Sequence, residues 1–214
     1  MRLWSRCNLK IAPLFFFIMP LSVVLSILLS LLFGGAIEQF QWAEGFSFSA
    51  GGLSVLVVLL LAASFEELGW PGYAFDSLLE QKNIFQATLI FSILWSLWHF
   101  PLIFVHGSYQ WEILQENPFF ALNFFVSIIP MGFIISWICL KNRKSILATI
   151  LFHFIVNISQ EMLAITQVTK SLQTIVLFAF AALIVLFDRT LFFGDKGKDS
   201  PVFHSSQNAK VGLV

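Results

Sequence analysis

Residues 118–140 read PFFALNFFVSIIPMGFIISWICL, a run without a single charged side chain that stops at Lys141. Wound as a helix at about 1.5 Å per residue, it spans roughly 34 Å, enough to cross the ~30 Å hydrocarbon core of a bilayer. Working outward, five more apolar stretches approach that length, at about 13–33, 50–68, 84–105, 145–165 and 172–193. Turn or charge signals bound them, among them Gly34-Gly35, Gly51-Gly52, Lys82-Asn83, His106-Gly107, Asn117-Pro118 and Lys141-Asn142-Arg143-Lys144. The pattern predicts an all-α fold, a polytopic transmembrane helical bundle of about six spans. Residues 1–193 form one transmembrane domain in this reading, and the tail 194–214 is polar enough to be disordered.

Composition agrees with that assignment. Of 214 residues, 58% are hydrophobic and only 11% charged, against about 25% charged in an average soluble domain. The 12 Lys+Arg and 12 Asp+Glu cancel, so no basic face invites nucleic acid and membrane lipid is the expected surroundings. Cys7 and Cys139 stand far apart, without a CxxC pair, and indicate neither a disulfide framework nor a cysteine zinc site. The first apolar stretch follows Arg2, Arg6 and Lys10 as a signal peptide would. It exceeds the usual ~7–15 residue signal core, and is read as a retained span. With a cytoplasmic N-terminus, Lys82, Lys141, Arg143, Lys144, Arg189 and the basic residues of both tails all fall inside. Only Lys170 falls outside, a strong match to the positive-inside rule that places both termini of a multi-pass cell-membrane protein in the cytoplasm.

Ionisable groups inside spans cost about 2.5–3.5 kcal/mol each on insertion scales. Glu66, Glu67, His99 and His153 therefore call for reasons. Glu66 and Glu67 close the second stretch in SFEELGWPGY, residues 64–73. Successive helix residues point about 100° apart, so one of the two aims at any given site; a plainer reading has both capping the span at the interface. His99 sits among aromatics in WSLWHFP, residues 95–101, just before Pro101, which frees a carbonyl and kinks the helix. His153 and Asn157, four apart, share one helix face. A helix–helix hydrogen bond is the alternative for that pair.

A carboxylate pair and two imidazoles on three helices suit the activation of water, with neutral imidazole sharing proton transfer or, with Glu66, binding a divalent ion such as zinc. His153 and Asn157 are placed to stabilise an oxyanion. One difficulty stands against convergence. Counted from the inner ends of the spans, Glu66 lies at the inner surface, His153 roughly 12 Å deep and His99 roughly 22 Å deep. A third span beginning after residue 90 is the repair the sequence suggests.

These segments, in this order, resemble the signature of the CAAX-protease and bacteriocin-processing family of intramembrane proteases, the abortive-infection and Ras-converting-enzyme type. The family pattern is EExxxR, FxxxH, then HxxxN or HxxxD. Glu66-Glu67, His99, and His153 with Asn157 match it, over about residues 50–165. Two positions depart: Pro71 replaces the arginine, and Trp95 the phenylalanine. The resemblance implies an endopeptidase that cuts near the C-terminus of a prenylated or otherwise hydrophobic peptide, in a site opening to the inner face. It makes Glu66 the general base assisted by His99, His153 and Asn157 the oxyanion site, and Glu67 a supporting acid. Water activated without a metal and a metal at Glu66, His99 and His153 are the competing accounts within it. A relative that binds peptides without cutting, and a bis-histidine haem or metal carrier, are the other readings.

Overall fold

The computed structural model describes residues 12–44, 49–50 and 53–194. The polar tail beyond Gly194 and the basic residues Arg2, Arg6 and Lys10 lie outside the described residues. Helix α1 runs Ala12–Leu32, α2 Val55–Gly69, α3 Phe75–Gln81, α4 Ile84–Trp98, α5 Tyr109–Glu116, α6 Pro118–Lys141, α7 Ile146–Glu161, α8 Gln167–Phe187 and α9 Arg189–Phe193. Among the described residues the extended structure is a small antiparallel pair, Ser49–Ala50 with Leu53–Ser54, and an isolated antiparallel bridge between Trp42 and Leu163. Four helical stretches, Val55–Gln81, Ile84–Phe104, Pro118–Lys141 and Gln167–Phe187, are long and apolar enough to cross a membrane, and Phe16–Leu32 and Ile146–Glu161 are shorter apolar helices. The outer faces carry side chains such as Phe65, Tyr73 and Phe104, each about three-quarters exposed, an apolar surface suited to lipid.

The polar residues between the apolar runs fix where helices begin. Asn83 accepts from Gln86 N at 2.8 Å, Asn117 from Phe119 N at 2.9 Å with Pro118 as the first helical residue, and Thr166 from Thr169 N at 3.2 Å. Each satisfies an amide that the first helical turn leaves open. Asn142 to Ser145 make the tight α6–α7 turn, with Arg143 and Lys144 both at positive φ. That costly conformation aims Lys144 at Asp76, 2.7 Å away.

Two departures from the sequence reading decide where the site lies. The second span starts at Val55, not 50, and does not end at 68. Pro71 has no N–H for the Glu67 carbonyl, and the chain widens into a π turn over Trp70–Ala74, closed by Phe75 N donating to Trp70 O, before running on as α3. Glu66 is thus in mid-helix, roughly 20 Å from the end at Gln81. The Lys144–Asp76 pair starts α7 at the level of Asp76, several ångströms above the Gln81–Ile84 turn. His153 rises with it to the level of Glu66 and of His99, which is about 22 Å along α4. The third span begins at Ile84 after all; α2 and α7, not α4, supply the correction.

Packing divides the bundle lengthwise. Near the basic turns the interior is filled by Phe75, Leu79, Phe91, Ile134, Ile138 and Phe152, all nearly inaccessible. Toward the other end, polar groups tie the helices. Gln173 donates to Ser22 Oγ at 2.9 Å. Gln39, from the connection after α1, is buried and reaches Ser30 at 3.0 Å and Thr169 at 2.5 Å. Inter-helix hydrogen bonds of this kind do the joining that apolar packing alone supplies weakly in lipid.

Candidate active site

A cavity of about 660 Å³ occupies the half of the bundle that the apolar core leaves unfilled, and Glu66, Trp95, His99, His153 and Asn157 all line it. Trp95 organises them. Its buried indole donates Nε1–H to Glu66 Oε2 at 3.0 Å. Its ring lies 5.5 Å from that of His153, edge-on, and 6.3 Å from that of His99. The sequence marks Trp95 only as an exchange for phenylalanine. The signal was nevertheless there, since a buried indole N–H needs an acceptor and phenylalanine has none to satisfy.

His99 closes α4. Its backbone N–H turns to Ser96 O at 3.1 Å, which leaves the Trp95 carbonyl to the imidazole, 2.9 Å from Nδ1. A carbonyl only accepts, so Nδ1 carries the proton and Nε2 is the lone-pair nitrogen. Pro101 follows, and the chain tightens into a 3-10 turn over Phe100–Phe104, the break its position predicts. Phe124 and Trp98 pack edge-on against the ring.

Glu67, one residue past Glu66, points away to α7. It is 1% exposed, and its Oε1 meets His153 Nδ1 at 2.7 Å. Its Oε2 is buried with no hydrogen-bond partner among the described residues. The two acids thus split: Glu66 faces the cavity and Glu67 anchors a histidine. His153 is itself 6% exposed, and Asn157 follows it one turn later on the cavity wall. The orphaned Oε2 is legible in the sequence as well, because the position one helical turn beyond Glu67, where the pattern has arginine, is Pro71.

Restoring that residue is informative. Pro71→Arg returns a backbone N–H to the Glu67 carbonyl and offers a guanidinium one turn from its free oxygen. The expected result is an unchanged or raised Tm and activity at least equal to wild type, measured by thermal melting in detergent and peptide cleavage. Loss of folding would show that the π turn depends on proline.

The sequence reading puts the basic-rich turns and the mouth of the site on the same, inner face; the structure puts the cavity at the end opposite those turns, so the two expectations do not hold together. The cavity is lined by Ala43 and Glu44 from the connection after α1, by Tyr109 at the start of α5 and by Lys170 near the start of α8. These lie at the end opposite the turns that carry Lys82, Lys141, Arg143 and Lys144. The reason is the packed aromatic core below Glu66, which blocks the other direction.

Among the described residues, no three of His, Cys, Asp and Glu come close enough to hold one metal ion. Glu66, His99 and His153 are not gathered as a ligand set among the described residues.

A cavity walled by membrane helices, with a carboxylate and oriented imidazoles at its floor, defines a class of membrane-embedded hydrolases that work away from bulk water. Similarity to known proteins supplies the family. Residues 48–159 match the Rce1-like family, type II CAAX prenyl endopeptidases. Over 190 residues the chain is 58% identical to CAAX prenyl protease 2 of Methanococcus maripaludis, a match covering 89% of this chain and 70% of that protein. The chain belongs to the Rce1-like CAAX prenyl endopeptidase family, and its function is that of a CAAX-type intramembrane endopeptidase.

Proposed function

We propose that this chain hydrolyses a peptide bond near the C-terminus of a prenylated, membrane-held peptide, using water activated by Glu66 and His99. The observation that carries the mechanism is the convergence on Trp95. One indole holds Glu66 by a hydrogen bond and packs against both imidazoles. With Oε2 occupied by the indole, Glu66 Oε1 takes a proton from water, and His99 Nε2 accepts the second water hydrogen and orients the nucleophile. Water oxygen bonds to the scissile carbonyl carbon, and the carbonyl oxygen becomes an oxyanion. Collapse breaks the C–N bond while Glu66 returns its proton to the leaving nitrogen.

His153 and Asn157 receive the oxyanion. Glu67 and His153 share one proton in this reading, because a net negative pair with a buried, unpartnered oxygen would be costly. Whichever atom holds that proton, Nε2–H of His153 remains a donor. Trp95→Phe tests the organising role. It is expected to fold and to lower kcat about tenfold with little change in KM, because Glu66 loses its fixed orientation.

The substrate assignment is tested with the purified chain in lipid, offered a farnesylated C-terminal peptide and its unprenylated control. Preferential cleavage of the farnesylated peptide supports it. A folded protein that cuts neither overturns it. We further propose that both termini are cytoplasmic, which turns the cavity mouth to the outer face. Glu161→Cys should then be labelled by a membrane-impermeant maleimide on intact cells and Arg143→Cys should not; the reverse pattern would invert the topology.

A further inference from the structure

Lys170 is the basic residue that escapes the inner-side pattern, and it lines the cavity. The other formally charged side chains on that wall are Glu44, Glu66 and Glu161. No carboxylate of the described residues lies within ion-pair distance of Lys170. It rests instead on neutral groups. Nζ donates to Tyr109 Oη at 3.1 Å and sits 4.6 Å from that ring's centroid. The Tyr109 hydroxyl in turn donates to Gln167 Oε1 at 3.1 Å. An ammonium that spends one N–H on a phenol has two further N–H donors, and carboxylate is the ligand such a group accepts best.

Its place relative to the reacting groups is set by rings in contact. His99 and Phe124 centroids are 5.6 Å apart, and Phe124 and Tyr109 centroids 5.9 Å. Lys170 therefore stands three contacts from His99, two of them ring to ring and the last its own with Tyr109. Three residues follow the prenylated cysteine of a C-terminal CAAX sequence, and three extended residues span about 10 Å. A scissile bond at Glu66 and His99 sends the free end of such a peptide along the cavity whose wall also carries Lys170.

We propose that Lys170, held by Tyr109, is the subsite for the C-terminal carboxylate of the peptide substrate. The proposal rests on the endopeptidase reading above and adds to it a reason for cutting only near a free C-terminus. Lys170 measures the distance from the chain end, while the glutamate and histidines cut. A peptide continuing past that point would leave the ammonium unpaired and meet the Gln39 and Ala43 connection, which is stitched to the α7–α8 turn by Ala43 N–Met162 O and Ala164 N–Gln41 O bonds of 3.0 Å each.

The test compares one farnesylated peptide as its C-terminal acid and as its C-terminal amide, with the full chain in phospholipid vesicles. Wild type is expected to cleave the acid about 10- to 100-fold faster in kcat/KM, the range of a lost charge-assisted hydrogen bond. Lys170→Met should reduce the acid to the rate of the amide, Lys170→Arg should keep the preference, and Lys170→Glu should reverse it. An acid-to-amide ratio that stays at the wild-type value in Lys170→Met overturns the proposal while leaving the endopeptidase reading intact. A parallel binding measurement uses an apolar tripeptide acid and its amide with Glu66→Gln protein. Selective binding of the acid that disappears with Lys170→Met supports the subsite even if the farnesylated peptide is not cut, an outcome that would count against the substrate reading alone. Equal binding of acid and amide overturns the subsite.

Discussion

Glu66→Gln is expected to leave the protein folded and to lower cleavage of a farnesylated peptide by about a thousandfold. Glutamine has the same size and keeps an oxygen to accept the Trp95 Nε1–H, now 3.0 Å from Glu66 Oε2. What it lacks is basicity, and general acid–base catalysis by one positioned group contributes about 10²- to 10⁴-fold. Glu66 faces the cavity and is not part of the apolar core, so the change removes no buried packing. Peptide binding should persist, which separates loss of chemistry from loss of the site. The measurements are kcat and KM in lipid, with a thermal melt as control. Retention of more than a tenth of wild-type kcat would move the base elsewhere, with His99 the next candidate because its Nε2 carries the free lone pair.

The spans were legible because the bilayer demands one simple property, twenty or so apolar residues in a row, and the caps at Asn83, Asn117 and Thr166 show that polar residues between such runs start helices. The catalytic candidates were legible for the opposite reason: acids and imidazoles stand out where each is expensive. Their relative depth was not. It depended on Pro71 widening a helix without ending it, and on an ion pair between Asp76 and Lys144 that sets the height of α7. Neither can be read from a hydrophobic profile, since proline commonly stops a helix and the partner of a surface-looking lysine lies 68 positions away in the chain. The split between Glu66 and Glu67 was half legible. Helix geometry allows only one of two neighbours to face a site; which one did so followed from α7 packing beside α2.

His153→Ala is expected to lower kcat by about a hundred- to a thousandfold with KM little changed, the cost of losing one oxyanion donor. It should also destabilise the fold, because Glu67 Oε1 loses its 2.7 Å partner while Oε2 already has none. An unsatisfied buried polar group costs about 1–3 kcal/mol, and more when charged. The two effects separate in Glu67→Gln. Its amide can donate to His153 Nδ1, which leaves the proton on Nε2, and the buried charge is gone. That variant should melt no lower than wild type and keep activity within about tenfold, because the donor facing the oxyanion is preserved. Glu67→Leu, which cannot fix the tautomer, should fold and yet lose most of its activity. If Glu67→Gln instead falls as far as Glu66→Gln, the second acid takes part in proton transfer itself and the shared-proton account of the Glu67–His153 pair is wrong. If Glu67→Leu is as active as wild type, Nε2 of His153 needs no partner behind the ring to donate, and the pair belongs to the architecture of the α2–α7 contact alone.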